Sequence, residues 1–114
     1  VSKTNASTDP AVIVSVTFLR ENLAPDTDGH LSGTPTTLAS GVQGDLQPAS
    51  GNMRLSMSGL DPFSIYTFFP LARVSAGVVQ GDWMELGGIR YRVAMIFDWG
   101  PTYPQEFGLE RMTN

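Results

Sequence analysis

Residues 78–98, VVQGDWMELGGIRYRVAMIFD, constrain this chain more than any other stretch. Gly87-Gly88 separates two segments that alternate apolar and polar residues. A two-residue hairpin turn needs positive φ at its centre, which glycine adopts at little cost. With the turn on those glycines, Leu86 faces Ile89, Glu85 faces Arg90, Met84 faces Tyr91, Trp83 faces Arg92 and Asp82 faces Val93. Opposed residues share a sheet face, and faces alternate along each strand. Met84, Leu86, Ile89, Tyr91 and Val93 therefore make a core face. Trp83, Glu85, Arg90 and Arg92 make the other. That second face offers a Glu85–Arg90 ion pair and a stack of the Arg92 guanidinium on the Trp83 indole, each worth roughly 0.2–1 kcal/mol. A slip of one residue would turn Met84 and Tyr91 to solvent, so the pattern fixes its own register.

A chain of 114 residues suggests one domain. With 12 glycines, 8 prolines and many β-branched residues, the composition favours strands and turns over helices. The absence of cysteine excludes a disulfide scaffold and thiolate metal sites. A formal net charge of −4 makes a poor grip for phosphates, since nucleic-acid affinity comes largely from Lys and Arg. No apolar run approaches the ~20 residues of a membrane span. The polar start VSKTNAST lacks the apolar region of a secretory signal, and Asn5-Ala6-Ser7 reads as a chance match to a glycosylation pattern.

Residues 1–9 read as a flexible leader and 10–114 as one β-barrel domain. After Pro10, Val12, Val14, Val16 and Phe18 alternate with Ile13, Ser15, Thr17 and Leu19, which predicts a strand with the first set inward. Residues 21–37 form a connection rich in Pro, Asp, Gly and Thr, longer than the ~4–6 residues of an ordinary loop. Asp26, Asp28 and His30 sit there at metal-ligand spacing, but Asp28-Gly29 is a turn signal and no second ligand cluster exists. Residues 37–46 read as a strand in which Gly41 and Gly44 mark a bulge or a barrel corner. Residues 47–64 are irregular, with Met53, Leu55 and Met57 alternating. They form either a projecting arm or an extra strand on the core. Residues 64–70, SIYTFFP, are an aromatic strand, either buried or a binding platform. A connector over 71–77 has single-turn helical character. After the hairpin, Trp99 and Tyr103 lie in a Gly/Pro-rich loop, and residues 106–112 close the sheet with Phe107, Leu109 and Arg111 on one face. The sum is an all-β chain, a small antiparallel β-barrel, SH3-like or sandwich-like, with long projecting loops.

Catalytic chemistry is hard to find. The one histidine, His30, lies in the loosest loop with no nucleophile motif near it. Gly87-Gly88 opens no helix, so it places no helix N-terminus at a phosphate. No pair of carboxylates stands out for glycoside hydrolysis. The sequence is read as that of a non-enzyme, with no cofactor and no metal.

The order of elements resembles the small head-closure proteins of tailed bacteriophages, also called head–tail connector stopper or head–tail joining proteins. Three features carry the resemblance. The first is a strand ending in Gln47-Pro48-Ala49-Ser50-Gly51. The second is an aromatic strand, residues 66–70, followed by Gly81-Asp82. The third is the hairpin itself, with Gly81-Asp82-Trp83-Met84, the turn Gly87-Gly88, and Tyr91-Arg92-Val93. A loop and a final apolar strand complete the pattern over about residues 37–112. Asn52 follows Ser50-Gly51 where members often carry an acid.

The resemblance implies a virion structural protein of the neck, assembled in the host cytoplasm. It implies a homo-oligomeric ring with a portal or adaptor protein above and a tail protein below. Double-stranded DNA would pass through its channel without specific binding, and no membrane is involved. Met53, Leu55, Met57, Trp99 and Tyr103 are then candidates for interface or channel-loop contacts, and the 21–37 loop is a second candidate. An adaptor or tail-terminator role in the same virion stays open. So does a free-standing small-barrel module that binds a peptide or glycan through the aromatics of 63–69 or through Trp99 and Tyr103.

Overall fold

The computed structural model describes residues 13–49 and 64–112. Its strands are β1 (Ile13–Arg20), β2 (Ala24–Pro25), β3 (Leu31–Ser32), β4 (Thr36–Pro48), β5 (Ile65–Pro70), β6 (Trp83–Leu86), β7 (Ile89–Phe97) and β8 (Glu106–Arg111). Six of them close an antiparallel barrel in the order β1-β4-β5-β8-β7-β6, and β2 pairs with β3 in a separate ribbon. There is no α-helix among the described residues. The leader over 1–9, Val12, and Met53, Leu55 and Met57 lie outside them.

Each barrel strand turns one alternate set of side chains inward. Phe18, Phe68 and Phe107 are fully buried, and their rings meet at 6.1 Å (Phe18–Phe68), 5.0 Å (Phe18–Phe107) and 6.5 Å (Phe68–Phe107) between centroids. Such ring pairs add about 0.5–1.5 kcal/mol each beyond the area they bury. Val16, Met84, Tyr91, Val93 and Leu109 fill the space around them.

The hairpin has the expected register, from Leu86–Ile89 at the turn to Trp83–Arg92. Gly87 and Gly88 both have positive φ, 57° and 82°, as a type I′ turn requires. The Glu85–Arg90 pair forms at 3.6 Å on the half-exposed outer face. The expected Trp83–Arg92 stack does not. Arg90 lies over the Trp83 ring, 5.2 Å from its centroid, and Arg92 donates to Glu110 at 2.9 Å. The reason is the strand on the other side. Arg92 is directly opposite Glu110 on β8, and a full charge there outcompetes the indole face.

Irregularities in register bend the barrel. At Gly41, with φ 66°, Ser40 and Gly41 together face Thr17, since Val42 pairs with Val16 and Ala39 with Phe18. This is the bulge expected at Gly41, while Gly44 stays in register opposite Val14. On β7, Val93 pairs with Leu109 but Met95 pairs with Gly108, so Ala94 is an extra residue. The bulge reverses the alternation. Tyr91 and Val93 point inward before it and Ile96 after it, while Met95 and Phe97 pack outside with Ala49 and Ile65.

The connector over 71–77 has no helical turn. The Gln105 side chain holds it instead. Its amide accepts from the Val74 N–H at 3.0 Å and donates to the Val74 carbonyl at 2.7 Å. Both backbone groups are thereby satisfied without a helix, and Val74 is free to plug the core.

Barrel closure rests on Asp82. Only Thr17, Phe18 and Leu19 pair with β6. Beside that short seam the Asp82 carboxylate, 3% exposed, accepts from Arg20 Nε and Nη2 at 2.9 Å each and from the Val79 N–H at 2.8 Å. Burial pushes this carboxyl up, but the Arg20 guanidinium and the Val79 amide outweigh it and hold it below its ordinary value.

Gly44 is tightly enclosed by the core. A Cβ there would stand 2.5 Å from both Phe68 Cζ and the Phe69 carbonyl oxygen. Gly44→Ala is expected to cost about 1–3 kcal/mol in urea unfolding by forcing the central ring aside. An unchanged midpoint would show that the Phe68 ring moves freely.

Candidate functional site

The ribbon and the aromatic loop are the exposed features nearest to function. Between β1 and β4 the ribbon is fully exposed, and its base is tied by the Asn22 side-chain amide, which donates to the Thr34 carbonyl and the Thr36 hydroxyl. Leu23 and Leu31 are 51% and 66% exposed on it. At its tip the ligand atoms of Asp26, Asp28 and His30 lie within 4.8 Å of one another. Asp26 Oδ1 already accepts from the Asp28 and His30 N–H groups, both at 2.9 Å, and so closes the turn. Three exposed side chains fall short of the 6–8 oxygens of a calcium shell, and the trio is explained by the turn.

The loop between β7 and β8 displays Trp99 and Tyr103, 61% and 59% exposed. Its shape is set by Arg73, whose forked guanidinium meets both Asp98 oxygens at 2.8 Å. The same guanidinium donates to the carbonyls of Gly100 at 2.9 Å and Tyr103 at 3.1 Å. Asp98 also accepts from the Gly100 N–H at 3.0 Å. Gly100 takes φ 117°, a conformation that suits glycine. Trp99 leans on Phe97 with 5.9 Å between ring centroids. Trp99, Tyr103 and Pro104 together line an open apolar groove.

An outer face continues from this loop across the barrel. Asp45 is opposite Ile13 on one side and Phe69 on the other, and Glu106 is opposite Phe97. Phe69 stands one position beyond the Phe68–Phe107 pair, which brings it beside Glu106. All of these point away from the core, because their neighbours Phe68 and Phe107 point into it. Burial pushes the Glu106 carboxyl above its ordinary value.

The hairpin residues expected to be structural are so placed. Gly81 has φ 98° and donates its N–H to the Val93 carbonyl. Asp82 makes the closure clamp, Trp83, Glu85, Arg90 and Arg92 line the outer face, and Tyr91 is buried against Tyr66 at 5.6 Å. None of these meets Trp99 or Tyr103 in a shared pocket among the described residues. Phe68 belongs to the core, so of the two readings of the aromatic strand its inner half is buried, while Phe69 is 38% exposed. Arg73 and Gln105 were not foreseen. Their partners lie 25 and 31 residues away, and nothing local marks them. No protein-family model and no curated protein sequence matches this chain.

The Asp98 carboxyl lies at the surface, yet Arg73 and the Gly100 amide pull it down to about 2 from an ordinary 3.8. A depressed carboxyl stabilises the loop above the ordinary value, and that contribution is lost as pH falls through the folded value. The Gly100 and Tyr103 amide signals should therefore shift with a midpoint near pH 2 in the NMR spectrum. In Arg73→Gln the Asp98 midpoint should return toward the ordinary carboxylate range. A wild-type midpoint already in that range would refute the clamp.

Proposed function

We propose that this chain is a structural protein of the head–tail connector of a tailed bacteriophage. In this reading copies of it form a ring below the portal, retain the packaged genome and dock the tail. The observation that carries it is a small closed antiparallel barrel from which the 21–35 ribbon projects. The ribbon over 21–35 exposes Leu23 and Leu31, and the 50–63 connection joins Ala49 to Ser64 at one barrel end, where the Ala49 N–H donates to the Ile65 carbonyl. Head-to-tail contact around a ring needs two different surfaces on each copy, and a projecting ribbon with a separate aromatic groove supplies them. A net charge of −4 suits a channel through which DNA slides, because it repels phosphate. Met53, Leu55 and Met57 remain the candidate channel or ring contacts, and Trp99 and Tyr103 the candidate contacts to a neighbour.

A second reading is a free-standing binding module, favoured by the Trp99, Tyr103 and Pro104 groove. It requires saturable binding by a monomer and its loss in Trp99→Ala.

A stop codon in this gene in its phage, followed by electron microscopy of the lysate, separates the two. The connector reading expects filled or leaking heads beside unattached tails. Normal infectious particles would overturn it.

A further inference from the structure

The outer face across β4, β5, β8 and β7 alternates charge and ring: Asp45, Phe69, Glu106, Phe97, then Trp99. Neither of its two carboxylates pairs with a cation among the described residues. Among the described residues Arg20 is committed to Asp82, Arg73 to Asp98, Arg90 to Glu85 and Arg92 to Glu110. Arg111 alternates with Glu110 and so points to the opposite side. Asp45 accepts from the side-chain amide of Gln47, a neutral partner. Phe69 and Trp99 are exposed between and beside these acids, which is the arrangement that attracts guanidinium groups to ring faces.

The spacing specifies the ligand further. Asp45 and Glu106 lie two strands apart, on β4 and β8 with β5 between them. Neighbouring strands are about 4.8 Å apart, so the two acidic positions are spaced by about 9.6 Å along the row. A polyproline II segment rises about 3.1 Å per residue with three residues per turn. Residues i and i+3 then share one side at about 9.3 Å. A β-strand would put i and i+3 on opposite sides.

We propose that this face docks a polyproline II segment of a partner protein that carries basic side chains three residues apart. One guanidinium pairs with Asp45 and the other with Glu106. Prolines between them pack on Phe69, and those beyond the second basic residue pack in the groove of Trp99, Tyr103 and Pro104. The segment needs no edge strand, which a closed barrel does not offer. Half-burial of Glu106 favours the complex, since a partner's cation offsets the cost of its charge. The proposal does not depend on the ring or on DNA, and it names the chemistry of a partner rather than its place in a virion.

The test uses the full chain and an acetylated, amidated hexapeptide, Arg-Pro-Pro-Arg-Pro-Pro. Binding is followed by amide and indole N–H shifts. Saturable binding is expected, with shifts at Asp45, Phe69, Glu106 and Trp99. Replacing both arginines by citrulline, which keeps shape and removes charge, should weaken binding about tenfold or more. Moving the arginines to a spacing of two should weaken it about fivefold. Glu106→Gln and Asp45→Asn should each weaken the arginine peptide and leave the citrulline peptide unaffected. Equal binding of the citrulline peptide would overturn the proposal, and because it uses the wild-type chain it does not depend on any variant folding. Absence of saturable binding would overturn it too. Self-association of the chain that Glu106→Gln abolishes would assign the face to a second copy instead, and would equally refute a separate partner.

Discussion

The barrel depends on one charged contact at its narrowest seam. Closing a sheet into a barrel removes exposed edges, but the last pairing must form at long range and its entropy cost falls on few residues. Here that pairing joins β1 to β6 through three residues on each strand. Asp82 stands immediately beside it. Its carboxylate holds Arg20, the last residue of β1, and the Val79 amide at the entry of the hairpin. Arg20 also donates to the Gly77 carbonyl at 3.1 Å, so the same contact anchors the connector. A buried carboxylate without these donors would carry an unmatched charge, which is why the three groups act as one.

Once the barrel is closed, the two faces of its strands are separated by purpose. The inner face is filled by three phenylalanines and their aliphatic neighbours. The outer face is set by irregularities. The Ala94 bulge swings Met95 and Phe97 outward, and Gly108, opposite Met95, adds no side chain to obstruct them. The same bulge delivers Phe97 as the backing for Trp99, and Arg73 fixes the loop that follows. An exposed aromatic surface is thus held on a rigid wall, which reduces the ordering cost that a partner must offset.

The sequence makes some of this legible and hides the rest, for physical reasons. The hairpin is readable because its turn glycines and its alternation are local, and they agree. The inward set of β1 is readable for the same reason. The rotamer choices on the outer face are not. Arg92 prefers Glu110 over Trp83 only because β8 lies alongside β7, a neighbour separated in sequence. The connector over 71–77 reads as having single-turn helical character, and it has none because Gln105 bonds both backbone groups of Val74. Trp99 and Tyr103 are placed in the loop after the hairpin from sequence, but the residue that positions them, Arg73, carries no local signal. The alternation of Asp45, Phe69 and Glu106 is likewise invisible, since it runs across strands rather than along one.

The direct measurement of this account is hydrogen exchange by NMR on the wild type and on Arg20→Met. If Asp82 holds the seam, removing its guanidinium partner should speed exchange most at Val79, Gly81 and Val93, whose amides bond within the clamp. Phe68 and Leu109, on the far side of the barrel, should keep most of their protection. Uniform acceleration at all five sites, or none, would contradict the claim that closure depends on this contact.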